Sequence, residues 1–83
     1  METNLNNYRE EYQSILSDGV VISECNAITF LNVGATNIIL NNSLTLAPGD
    51  QYVSEYNEGE MNRTRYNLIL NGGAALVIRK TLI

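Results

Sequence analysis

Cys25 is the only cysteine in the 83-residue chain, and there is no histidine. A cysteine nucleophile needs an activating base, which is most often histidine. Cys25 therefore reads as an inert, buried thiol, and a disulfide within one chain is impossible. A closed zinc site, which needs several Cys or His ligands, is excluded on the same grounds. Asp50, Glu55, Glu58 and Glu60 remain, either as a carboxylate pair for acid–base work or as ligands for a divalent cation. Their spacing does not match a calcium loop, and Glu58-Gly59-Glu60 reads as a solvated hairpin tip. Gly72-Gly73 lacks the Lys and the following helix of a phosphate loop, so it reads as a turn. The expectation is a chain with no catalytic residue, no cofactor and no metal.

Binding chemistry is the other possibility. Tyr52, Tyr56 and Tyr66 lie in β-type segments and could line a site for a carbohydrate or a peptide. Tyrosines in strands more often pack than bind, so this is the alternative reading. The formal net charge is −4, with five basic residues against nine acidic ones. A chain so short of lysine and arginine is poorly suited to nucleic-acid phosphates or an anionic membrane surface. An acidic surface that imitates nucleic acid toward a basic partner is a third reading. No apolar run approaches the ~20 residues of a membrane span. Met1-Glu2-Thr3-Asn4 lacks the basic and apolar regions of a secretory leader, which points to synthesis in a cytoplasm.

The elements that would position these residues divide near Asp18-Gly19. Leu5, Tyr8, Tyr12, Ile15 and Leu16 recur at spacings of three and four, which predicts an amphipathic N-terminal helix or arm over residues 1–18. Such a stripe must dock, either on the chain's own sheet or on a neighbouring subunit.

From Gly19 onward the residues are β-formers broken by Asn and Gly. Strands are expected near Val20–Glu24, Ala27–Val33, Asn37–Asn41, Ser43–Leu46, Gln51–Tyr56, Arg65–Leu70 and Ala74–Leu82. Closely spaced turn signals among short strands predict a mainly β domain over residues 19–83. The architecture expected is a single antiparallel, jelly-roll-like β-sandwich of about seven strands. Pro48-Gly49 marks a corner between two of them. Ala75-Leu76-Val77-Ile78 is apolar on both faces, as in a strand covered from both sides.

A domain of this size buries only about 60–65% of its unfolded surface, so its core is thin. With disulfides and zinc removed, oligomerisation is the remaining way to add buried area. The contact residues expected are Leu5, Tyr8, Tyr12, Ile15 and Leu16, then Ile39, Ile69 and Ile78.

Four motifs occur in order. They are Ile28-Thr29-Phe30-Leu31-Asn32-Val33-Gly34, Leu44-Thr45-Leu46-Ala47-Pro48-Gly49-Asp50, Tyr66-Asn67-Leu68-Ile69-Leu70 and Leu76-Val77-Ile78-Arg79-Lys80. With the acidic loop at 55–60, this layout resembles small β-sandwich virion proteins of tailed bacteriophages, particularly those of Bacteroidetes-type hosts. The likeness runs from about Ala27 to Leu82. It departs at Leu70, where an aromatic residue is usual, and the segment before Gly19 is not part of it. The resemblance implies a structural subunit that joins copies of itself and other virion proteins, in the head decoration, fibre, connector or tail.

Overall fold

The structure is a computed structural model and describes residues 7–55 and 59–83. It is mainly β, with eight strands in two antiparallel four-stranded sheets. The strands are β1 (Tyr8–Ile15), β2 (Gly19–Ile22), β3 (Ala27–Asn32), β4 (Ile38–Leu40), β5 (Leu44–Leu46), β6 (Gln51–Ser54), β7 (Arg65–Ile69) and β8 (Ala75–Leu82). Sheet A has the order β1-β8-β3-β6, and sheet B has the order β2-β7-β4-β5.

Alternation along each strand decides which side chains meet. Ile28 and Phe30 of β3 and Ala75 and Val77 of β8 turn inward from sheet A. Val21, Ile38, Leu40, Leu46, Tyr66 and Leu68 turn inward from sheet B, and all ten are buried in one core. Phe30 and Tyr66 bridge the sheets with ring centroids 4.8 Å apart and a tilt of 59°. Burying a side chain such as Phe30 contributes about 1.5–3 kcal/mol.

The seven segments expected after Gly19 all form strands. The turn residues behave as their chemistry demands. Asn41, Asn42 and Asn71 carry positive φ, where asparagine is tolerated. The Pro48-Gly49 corner is closed by Asp50 N–H donating to Ala47 O at 2.9 Å, with Gly49 at φ 88°. It does not fold a hairpin but carries the chain from β5 in sheet B to β6 in sheet A.

Among the described residues the expected N-terminal helix is absent. Tyr8–Ile15 is a strand paired along its whole length with β8, from Tyr8↔Leu82 to Ile15↔Ala75. Tyr8, Tyr12 and Leu16 are spaced by four, and four is a multiple of the strand period as well as close to one helical turn. Pairing with β8 resolves the ambiguity. Glu10 lies opposite Lys80 and Glu11 opposite Arg79, so the acidic residues of β1 meet the basic residues of β8. A lone helix of this length has no comparable set of partners. Leu5 lies outside the described residues.

Candidate functional site

The residues chosen from sequence as contacts do not form one surface. Tyr8, Tyr12 and Leu16 are 51%, 64% and 75% exposed, and the two tyrosines stand on the outer face of sheet A. Ile78 shares that face, opposite Tyr12 on one side and Thr29 on the other. Ile15 turns the other way and packs against the core. Ile39 and Ile69 face each other on the outside of sheet B, half-buried.

The outer face of sheet B thus carries one apolar surface in Val20, Ile22, Ile39 and Ile69, and the outer face of sheet A is another, with a middle row of Tyr12, Ile78, Thr29 and Val53 across all four strands. Leu76 and Leu31 form part of the next row, paired with each other. No helix covers this face among the described residues. On it lies a shallow cleft of about 270 Å³, floored by Ala27, Thr29, Val53 and Ile78 and rimmed by Glu10, Glu55 and Lys80. The Lys80 ammonium also sits 4.3 Å from the centre of the Tyr8 ring, a cation–π contact.

The backbone at the margin of this face is open. Ile83 N–H donates to Asn7 O at 2.9 Å, so this opposed pair is hydrogen-bonded, and the alternation of an antiparallel ladder then runs down β1. Arg9, Glu11, Gln13 and Ile15 direct their N–H and C=O groups to β8. Tyr8, Glu10, Tyr12 and Ser14 direct theirs away from the sheet. Among the described residues no strand takes them up.

The neighbouring edge, β2, is treated differently. Ile22 O accepts two hydrogen bonds from Arg79, at 3.0 Å from Nε and 2.9 Å from Nη2. The third guanidinium nitrogen donates to Gln13 Oε1 at 2.8 Å. Arg79 thus ties β8 and β1 to β2 and occupies a carbonyl on that edge.

Several of the reactive groups have partners within the fold. Cys25 has no exposure, its Sγ–H donates to Ala27 O at 3.2 Å, and burial pushes the thiol above its ordinary value. Tyr66 lies in the core, where its hydroxyl accepts from Asn62 Nδ2 at 3.0 Å. Tyr52 packs against Phe30 and Tyr66, and burial raises its hydroxyl above the ordinary range. Tyr56 lies outside the described residues. Asp50 Oδ2 accepts from Ala47 N–H at 3.0 Å and so stiffens its own corner. Glu55 rims the sheet A cleft, and Glu58 lies outside the described residues. Among the described residues no three Cys, Asp or Glu side chains gather to hold a metal ion.

Sequence reasoning missed Val53, Leu31 and Thr29 as surface residues, although the two-faced run in β8 announced the face they share. It also missed the buried amides. Asn32 donates from Nδ2 to Thr36 O at 2.8 Å and Leu46 O at 2.9 Å, and its Oδ1 accepts from Gly34 N–H at 3.0 Å. A Cβ on Gly34 would stand 2.6 Å from Ala74 N, so glycine is the residue that fits there. The Phe30-to-Gly34 motif is thus a device for joining loops. Comparison with protein-family models, curated proteins and solved structures finds no match to the chain.

Proposed function

We propose that this chain is a structural subunit of a tailed-bacteriophage virion, a β-sandwich that assembles with copies of itself and with neighbouring head or tail proteins. The observation that carries the reading is the open edge of β1 beside the apolar outer face of sheet A. An eight-residue strand with free backbone groups is a template for another strand. The adjoining face holds tyrosine and aliphatic side chains of the kind enriched in protein contacts.

The architecture supports the same reading. The chain changes sheet at every connection except β4 to β5, and the orders β1-β8-β3-β6 and β2-β7-β4-β5 match a jelly roll. That architecture is common in capsid proteins and also serves lectins, so fold alone does not assign a role. The surface does more to separate the two. The sheet A cleft is small for a ligand site, the larger hollow of about 400 Å³ beside Asn26, Glu60 and Asn62 has a mainly polar lining, and Tyr52 and Tyr66 are engaged in packing.

Mass spectrometry of purified, disrupted phage particles from a host carrying the gene tests the proposal. The chain is expected in stoichiometric amount with the major structural proteins. Particles that lack it overturn the virion assignment.

A further inference from the structure

We infer that β1 pairs with β1 of a second copy, antiparallel and about a two-fold axis at Tyr12, joining two copies of sheet A into one eight-stranded sheet. The inference rests on the assembly reading above and specifies its contact. Residues facing each other across an antiparallel ladder are either both hydrogen-bonded or both not. Tyr8, Glu10, Tyr12 and Ser14 carry the free groups, so only registers that set these residues against one another can form.

Side-chain charge then selects among those registers. Centring the pair on Arg9, Glu10 or Glu11 places a charge against its own copy, which is destabilising directly across a ladder. Centring on Gln13 or Ser14 shortens the overlap. Centring on Tyr12 sets Glu10 against Ser14, Glu11 against Gln13 and Arg9 against Ile15. It also brings Tyr8 opposite Leu16 and Tyr12 against itself, so the three exposed apolar residues of this segment cover one another. About six new backbone hydrogen bonds form within β1. The free edge of β2 does not offer the same contact, because Arg79 occupies Ile22 O.

A single pair of strands buries little area, so the free dimer should be weak, with a dissociation constant of tens of micromolar, on the order of 10⁻⁵ M. Repetition in an assembly raises the effective concentration and compensates for this.

Sedimentation velocity of the full chain across that range tests the inference beside Tyr12→Pro and Tyr12→Lys. Proline removes an N–H that points away from β8, so the fold should persist while strand addition is blocked. Lysine sets two ammonium groups on the axis. Each variant is expected to weaken the dimer at least tenfold with the circular dichroism spectrum unchanged. Register is tested independently by mixing Glu11→Cys with Gln13→Cys under mild oxidation. The mixture should cross-link, and Glu11→Cys alone should not, while Cys25 stays buried and silent. A dimer that survives both Tyr12 variants and gives no cross-link overturns the β1 contact but leaves self-assembly standing. A wild-type chain that is monomeric throughout, with no cross-link in the mixture, overturns the contact and self-assembly together.

Discussion

The two flanks of the molecule are built on different terms. On one, β5 and β6 are short edges joined by the Pro48-Gly49 corner. Asn32 O accepts from Gly49 N–H at 2.9 Å and Asn32 N–H donates to Asp50 O at 3.0 Å, while the Asn32 side chain bonds Leu46 O and Thr36 O. These contacts are neutral, mostly sheltered and made to fixed backbone groups. On the other flank, β1 and β2 are joined through Ser17-Asp18, where Asp18 Oδ1 accepts from Leu70 N–H at 2.8 Å, and Arg79 bridges them from within. There the contacts are charged and reach solvent, and the longest edge is left open. The first flank closes the fold. The second leaves an edge unpaired among the described residues.

The sharpest way to break this contrast is Asn32→Ala. It strands the buried Leu46 carbonyl and two further backbone partners, so unfolding free energy should fall by about 2–4 kcal/mol. Urea denaturation monitored by circular dichroism measures this as a lowered midpoint. Arg79→Met keeps the aliphatic stem but removes the charge-assisted bonds to Ile22 and Gln13. The half-exposed site lowers the expected cost to about 1–2 kcal/mol. Hydrogen exchange should speed up in β2 and stay unchanged in β5 and β6. Equal acceleration on both flanks would show that the two are one cooperative unit.

The smallest effect sharpens the comparison from inside the core. Burial raises the Cys25 thiol above its ordinary 9.0, so the unfolded chain releases that proton first as pH increases. Stability conferred by the neutral thiol is complete below pH 9.0 and is lost as pH climbs toward the raised folded value. Chemical denaturation between about pH 8 and pH 11 should show this decline, and it should be shallower in Cys25→Ala. Tyr52 is shifted the same way and preserves part of the slope in that variant.

Most of the sheet was legible in the sequence because its signals were local. Alternation in Ala27–Asn32 and Arg65–Ile69, and left-handed asparagines at 41, 42 and 71, need no knowledge of distant partners. The first strand was not legible. Tyr8, Tyr12 and Leu16 satisfy a helical stripe and a strand face equally, and the deciding partners, Arg79 and Lys80, lie some seventy residues away. The placement of the expected contact residues was partly legible for the same reason. A shared face for Tyr8 and Tyr12 follows from either reading, whereas placing Ile39 and Ile69 on the opposite sheet required the register. Glu24, at φ 47°, gave no signal in its residue type.

The position of β8 also sets a schedule. It lies between β1 and β3, so the first strand has no partner of its own until β8, far along the sequence, has been synthesised. Contacts of such long sequence separation form slowly. At ribosomal rates of about 5–20 residues per second, β1 would wait several seconds as an unpaired segment. Its outward groups become an ordered edge only when β8 arrives. A nascent chain therefore cannot present the edge early, and the strand pairing proposed above would wait until sheet A is complete.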